Sequence, residues 1–323
     1  MHIQYVGNFT QRHCTENHLA LTLEDMGHTV ERVQEGQTSA EDFTRLVAET
    51  KADLFLFTRT WNNTVTLEHL KQFKQRGIPT ASYHLDLYVG LKRESGLDDD
   101  PFWLTDYVFT PDGSMQANDV FKAKGINHHY IKPAVYKGEC YLAEPSQEFI
   151  NDRETDVVFI GGGDAEGKTE QYGHDEWPYR GKLIKWLQDT YGERFAKYGY
   201  PQETIRNELL NYQLAVSKVV VGDSLCLNFD HPYYWSDRVY ETMGRGGFII
   251  HPFIEGMDEE FTQGKNIVFY KYGDFDQLRS YIDYYIGDNE EREKIRLAGH
   301  EYVKANCTYH NRLAQALEIV GLS

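Results

Sequence analysis

The sequence predicts an α/β protein built from two doubly wound domains in tandem, facing each other across a cleft. Three observations carry this. The chain has 323 residues, more than one hydrophobic core usually organises, since single cores stop growing near roughly 250–300 residues. Short apolar runs alternate with segments of helical spacing in both halves. Between the halves the pattern lapses into KGECYLAEPSQEFINDRET, polar and without periodicity, and then restarts. The expected domains are therefore 1–145 and 146–323.

In the first half, Met1 to Val6 reads as a strand ending at Gly7. Leu19, Ala20, Leu23 and Met26 recur at helical spacing until Gly27, and HTVERV is the next strand. Ser39 and Asp42 make a capping-box-like start for a helix carrying Phe43, Leu46 and Val47. The run ADLFLFT that follows has no polar face, so both its sides should be buried. A helix over Thr66–Arg76 and the strands IPTASY, DYVFTP and HHYIKP complete a parallel, helix-covered sheet.

The second half reads DVVFIG, a glycine-rich loop, a helix around Arg180–Tyr191, RFAKYGY, a helix over Glu203–Tyr212, and KVVVGD. After the stretch from Ser236 come FIIHP, NIVFY and helices over roughly Phe275–Ile286 and Asn289–Asn306. TYHNRLAQALEIVGLS is a terminal helix with Leu313, Ala316, Leu317 and Val320 on one face. It suits either domain and is counted with the second.

Composition excludes several classes. With 41% hydrophobic and 14% aromatic residues the chain is not disordered, and no run nears the roughly 18 apolar residues of a membrane span. The start MHIQYVGNF lacks the basic and apolar regions of a signal peptide. Cys14, Cys140, Cys226 and Cys307 show no CxxC spacing, so neither a disulfide framework nor a zinc site is expected, and the expected location is cytoplasmic. Thirty-three basic against 50 acidic residues give a net charge of −17, which repels polyanions and argues against a general nucleic-acid-binding surface, though not against a local basic groove.

Two stretches carry the chemistry. In DVVFIGGGDAEGK a glycine turn after a strand lets backbone amides approach a phosphate. Gly161, Gly163 and Gly167 fit GxGxxxG, but RFAKYGY, the next strand, ends without the acid that a dinucleotide ribose needs. In SDRVYETMGRGGFIIHP, Arg238 and Glu241 share a helical face three residues apart. Arginine brings a fork of donors for phosphate oxygens, and glutamate accepts from two vicinal hydroxyls, the geometry of a ribose. Gly246-Gly247 then gives the tight exit into a buried strand.

The stretch from Ser236 to Ile286, followed by HEYVKANCTYHNRL, resembles the C-terminal half of two-Rossmann-domain (GT-B) glycosyltransferases, especially the spore-maturation-protein-like (CgeB-type) family. The shared pattern is Arg238-x-x-Glu241, the glycine turn, a strand, Gly256-x-Asp258-Glu259-Glu260-Phe261, an apolar strand and Thr308-Tyr309-x-x-Arg312. The first half is similar in architecture only. The resemblance implies a metal-independent glycosyltransferase (hexosyl or pentosyl) that uses a nucleotide-diphosphate sugar, a UDP-sugar, as co-substrate and needs no other cofactor. It implies that Glu241 binds the ribose hydroxyls, with Arg238 beside it, and that Lys168 contacts the donor diphosphate. Two positions depart from the family. Gly162 stands where many relatives have an arginine, and Tyr233 where retaining relatives have a second glutamate.

Glycosyl transfer needs charge stabilisation at the leaving diphosphate and a group that takes the acceptor's proton. Gly162, Gly163, Lys168, Tyr198, Asp223, Ser236, Arg238 and Glu241 are the expected donor-binding residues. His84 and Asp86, after IPTASY, and His13 in the first loop are the catalytic candidates, with His18 behind them. The aromatic run at Pro232–Trp235 reads either as a sugar platform or as packing. No ligand-spaced metal set is seen, and Asp98–Asp100 read as a solvated loop. Two alternatives stand beside this reading: a noncatalytic GT-B-like nucleotide-binding protein, and a phage-type glycosyltransferase acting on modified DNA bases.

Overall fold

Among the described residues, eleven short parallel strands form two separate sheets, one in each compact unit, with helices between them. The computed structural model describes residues 1–58, 64–90, 92–98, 100–163, 178–224 and 231–322. One unit is Met1–Lys132 with Tyr309–Ser323, and the other is Pro133–Thr308.

The first unit runs β1 (His2–Gly7), α1 (Thr15–Asp25), β2 (Thr29–Gln34), α2 (Ala40–Glu49), β3 (Leu54–Phe57), α3 (Leu67–Gln75), β4 (Thr80–Tyr83), β5 (Tyr107–Thr110), α4 (Met115–Ala123) and β6 (His128–Tyr130). The strand order is β2-β1-β3-β4-β5-β6, all parallel. Leu54 to Phe57 are buried throughout, as the run without a polar face predicts. Ser39 caps α2, accepting from the Asp42 N–H at 3.0 Å. Phe43, Phe55 and Phe73 fill the layer between sheet and helices, with the last two rings stacked at 4.4 Å.

The second unit contains α5 (Gln147–Arg153), β7 (Thr155–Ile160), α6 (Pro178–Tyr191), β8 (Phe195–Tyr198), α7 (Asn207–Ala215), β9 (Ser217–Val221), α8 (Arg238–Gly244), β10 (Ile249–Pro252), β11 (Val268–Tyr270), α9 (Phe275–Gly287) and α10 (Asn289–Asn306). Its order is β11-β10-β9-β7-β8, again all parallel. In each sheet the strand order reverses direction beside the first strand, between β1 and β3 and between β7 and β9. Such switch points open a crevice at the carboxyl ends of the strands.

Three expectations change. The polar stretch after Val135 is not a free linker: Ser146 caps α5, accepting from the Phe149 N–H at 3.2 Å, and Asn211 donates to the Glu139 and Tyr141 carbonyls. These bonds draw it into the second unit, so the units divide at Lys132/Pro133 and not after residue 145. The terminal helix α11 (Tyr309–Val320) lies in the first unit, where Leu313 and Leu317 bury against a wall that includes Leu23, Leu54 and Tyr83. The helix expected from Glu203 begins at Asn207, because the Glu203 carbonyl accepts from the Gly199 N–H at 2.7 Å and its carboxylate pairs with Arg153 at 2.9 Å.

Candidate functional site

The switch point of the second sheet is built around a buried carboxylate. Asp223 follows β9 and is 2% exposed. Arg180, in the first turn of α6, donates to it from Nε at 2.6 Å and from Nη2 at 3.1 Å, while its Nη1 reaches the Gly162 carbonyl at 2.9 Å. Arg238, at the start of α8, donates from Nη1 to the Asp223 Oδ1 at 2.8 Å and to its carbonyl at 3.2 Å. Burial by itself would raise the Asp223 carboxyl, but the two guanidinium groups outweigh it and hold Asp223 below the usual carboxylate range. A bidentate arginine with a second arginine on the same carboxylate fixes the two strand ends together.

A chain of hydrogen bonds runs beside this cluster. The Ser236 N–H donates to Ser224 Oγ at 3.1 Å, and Ser224 Oγ lies 3.3 Å from His251 Nε2. His251 Nδ1 sits 2.7 Å from the Pro252 carbonyl, so Nδ1 carries the proton and Nε2 accepts. His251 is fully buried, which pushes it down to about 4 and keeps it neutral. Ser236 Oγ in turn accepts from the Arg238 N–H at 3.2 Å.

Glycines let the strand ends meet here. Gly199 has φ +100, and a Cβ on it would lie 2.6 Å from the Gly161 carbonyl oxygen, so a side chain at 199 would push the glycine loop away. Gly246 has φ +84, and with Gly247 it closes α8 through N–H bonds to Met243 and Thr242 at 3.0 and 2.7 Å.

Of the expected donor residues, Gly162, Asp223, Ser236 and Arg238 come together, with Gly163 next along the loop. Glu241 lies one turn further along α8, 35% exposed, with Oε1 3.8 Å from Arg245 Nη2. Tyr198 does not join them: its ring packs on the Arg153 guanidinium at 5.9 Å and against the α7 side of the sheet. Lys168 lies outside the described residues. Trp235 and Tyr234 are buried, with Trp235 Nε1 donating to the Tyr240 hydroxyl at 2.9 Å, so within Pro232–Trp235 these two rings are packing. Tyr233, in the place of the second glutamate, donates to Glu259 at 2.6 Å.

The catalytic candidates belong to the first unit. His84 is 1% exposed and stacked on Trp103 at 3.7 Å, with Phe102 at 3.8 Å and Ser82 Oγ 3.3 Å from Nε2. It is a core histidine. Asp86, in the bend after β4, and His13, in the turn before α1, are half-buried at the carboxyl edge of the sheet. Asp100 caps a short 3-10 helix, accepting from the Phe102 N–H at 3.1 Å, and Asp98 pairs with Lys124 at 2.5 Å; Asp99 lies outside the described residues. Among the described residues no group of three or more His, Cys, Asp or Glu side chains is placed to hold a metal ion. No described helix is long and apolar enough to cross a membrane.

Sequence reasoning missed Arg180, His251 and Glu16. Glu16 lies in the first turn of α1, at the switch point of the first sheet, 3% exposed. A Cβ on Gly7, at the end of β1, would lie 2.9 Å from Glu16 Cγ. Burial, with repulsion from Glu35 just after β2, pushes the Glu16 carboxyl up to about 7, against smaller opposing bonds from backbone N–H groups. Its Oε1 has no hydrogen-bond partner among the described residues. The only signal in the sequence is an acid in a first helical turn after a strand, which ordinarily reads as dipole pairing.

Residues 180–318, from Arg180 through α10 and most of α11, match a sequence family described as glycosyl transferase-like. No curated protein matches the chain in sequence. Solved structures match over nearly the full length. An α-glucosyltransferase in complex with UDP shares 9% identity at a TM-score of 0.70, covering 99% of this chain and 100% of that one. A sucrose-phosphate synthase from Thermosynechococcus elongatus gives 12% and 0.63, covering 99% and 98%. Anabaena Alr3699/HepE, in complex with UDP and glucose, gives 14% and 0.60, covering 99% of both chains. At these identities the likeness establishes the fold, two Rossmann-like units of the GT-B type.

Proposed function

We propose that this protein is a glycosyltransferase that moves a sugar from a UDP-sugar to a hydroxyl acceptor. The observation that carries the reading is the Arg180–Asp223–Arg238 cluster at the second switch point, with Glu241 one turn along α8, inside the segment that matches the glycosyl transferase-like family. The UDP complexes of structurally similar proteins support the choice of nucleotide.

In this reading Glu241 accepts from the ribose hydroxyls and Arg238 faces the diphosphate, where negative charge grows as the glycosidic bond breaks. Asp223 and Arg180 do not touch the donor. They hold Arg238 and the Gly162 carbonyl in place, the arginine at the glycine loop arriving from α6 and not from the loop itself. Lys168 keeps the diphosphate role its family position implies, and no metal ion is invoked. Glu16 takes the proton from the acceptor hydroxyl: a carboxyl poised near 7 changes protonation state at working pH, which suits a general base. Asp86, after β4, and His13, after β1, orient the acceptor.

The test is binding and turnover in variants. Glu241→Ala should weaken UDP affinity by about tenfold or more, the worth of hydrogen bonds to a charged group, with the unfolding transition unchanged. Undiminished affinity would sink the ribose assignment. Glu16→Gln should keep UDP affinity and lose transfer, and full transfer in that variant would return the proton to Asp86 or His13.

A second acceptor class, modified bases of DNA, draws on a similar α-glucosyltransferase solved with UDP and a 13-mer DNA (11% identity, TM-score 0.68). The net charge of −17 opposes it. DNA association that weakens steeply with salt would favour it.

A further inference from the structure

The loop after β10 carries Gly256-x-Asp258-Glu259-Glu260-Phe261, a motif that the cluster at Asp223 does not include. Its two successive glutamates each hold a tyrosine. Glu259 Oε1 accepts from the Tyr233 hydroxyl at 2.6 Å, and Glu260 Oε2 accepts from the Tyr240 hydroxyl. Tyr233 is fastened twice more: its N–H donates to the Glu255 carbonyl at 2.9 Å, and its ring lies on Gly256, where a Cβ would come within 2.5 Å of Tyr233 Cδ1. These contacts keep Tyr233 at φ +57, a left-handed conformation that is costly for a bulky residue. Glu260 Oε1 lies 3.5 Å from Cys307 Sγ, just past α10, so the loop is anchored on that side as well.

Tyr240 is fully buried on α8 and lies between Arg238 and Glu241 in the chain. At 3.6 residues per turn, Glu241 points about 100° and Arg238 about 160° away from it. The helix has seven residues, and Asp237 at its start makes no side-chain cap bond. A helix of that length does not hold itself in water, where about 12–15 residues are needed, so contacts with its surroundings set its position. The Tyr240 hydroxyl, at the tip of a rigid ring, accepts from Trp235 Nε1 at 2.9 Å and donates to the Glu260 carboxylate, a charge-assisted bond of the stronger kind. A bond at that radius resists rotation of the helix about its axis. Arg238 is also held by Asp223, so the setting matters most for Glu241, which is 35% exposed.

We infer that Glu260 is a positioning residue for the donor: through the Tyr240 hydroxyl it sets the rotation of α8, and so the direction in which Glu241 and Arg238 meet the nucleotide. Glu259, through Tyr233, fixes the segment that leads into the helix. The donor role rests on the glycosyltransferase reading, whereas the hold of Glu260 on α8 does not.

The test uses the full chain with Glu260→Ala, Glu260→Gln, Tyr240→Phe and the double variant Glu260→Ala with Tyr240→Phe. Calorimetric titration gives UDP affinity, and amide hydrogen exchange without ligand reads α8 directly. Glu260→Ala and Tyr240→Phe should each weaken UDP about tenfold, the worth of a hydrogen bond to a charged group, and the double variant should lose no more than either, because both remove one bond. Glu260→Gln keeps an acceptor for the hydroxyl and should stay within about threefold of the wild type. Amides of Arg238–Gly244 should exchange several-fold faster in the Ala and Phe variants, with β9 and α9 unchanged. Tyr240→Phe keeps the ring, which packs on Phe261 at 5.6 Å, so it reports even where Glu260→Ala does not fold. UDP affinity unchanged in Tyr240→Phe, losses that add in the double variant, or no rescue by Gln would overturn the positioning role. Exchange that rises across the whole unit, or does not rise in α8, would overturn the hold on the helix. A wild-type chain that fails to bind UDP would refute the glycosyltransferase reading, and the exchange data would still decide whether Glu260 sets α8.

Discussion

Each unit buries one carboxylate at the switch point of its sheet, and the two are in opposite electrostatic states. Asp223, 2% exposed, lies between two guanidinium groups and is held charged. Glu16, 3% exposed, is pushed up to about 7 by burial, with repulsion from Glu35 adding to it and no cation among the described residues beside it to oppose it. Burial is the same, so neighbours decide the sign of the shift. A fixed negative charge holds arginines in place, whereas a carboxyl that titrates near neutrality is suited to moving a proton.

Several measurements would break or sharpen this contrast. The largest effect should come from Asp223→Ala, which leaves Arg180 buried without its partner and should cost about 3–5 kcal/mol in a denaturant titration. A loss below about 1 kcal/mol would mean that the arginines find other partners. In the first unit the opposite sign is expected. The folded pKa of Glu16 lies above its unfolded value, so its contribution is fully present below about 4.5 and is lost as pH rises through about 7. Glu16→Gln should therefore stabilise the protein at pH 8 by about 3 kcal/mol and change little at pH 4. A destabilised variant at pH 8 would contradict the raised value.

His251 beside Asp223 gives the reverse dependence. Its folded pKa, about 4, lies below the unfolded value, so its contribution is present above about 6.5 and is lost as pH falls towards 4. Unfolding followed between those limits should show about 3 kcal/mol of acid destabilisation from this residue, absent from a variant with Asn at 251. Thus acid loads the second switch point and alkali the first. The smallest effect belongs to Tyr198→Phe, whose ring lies on Arg153 away from the cluster; UDP affinity and stability should both stay within about 0.5 kcal/mol. A tenfold loss of UDP affinity would put Tyr198 back among the donor contacts.

Much of the site is legible in the linear chain. Arg238 and Glu241 are three apart on a short helix, and Asp223 and Ser236 flank strand and helix ends, so local spacing is enough to nominate them. Tyr198 is nominated by the same logic and turned aside, because Arg153, held by its pair with Glu203, and the α7 side of the sheet offer its ring a packed place. His84 looks catalytic from its position after a strand; two aromatic rings from a later turn, Phe102 and Trp103, make it core. Arg180 escapes notice because its partner is 43 residues away along the chain.

The sequence by itself determined the parallel α/β class, nearly every strand, the helix stops at glycine and the Arg238–Glu241 face. These depend on hydrophobic periodicity, capping and turn chemistry within a dozen or so neighbouring residues. Only the tertiary structure decided that Arg180 clamps Asp223, that Glu16 holds its proton near neutrality, that the stretch after Val135 belongs to the second unit and that α11 returns to the first. Desolvation and ion pairing depend on which distant segments meet, and one sequence without that information leaves a buried acid and a solvated one looking alike.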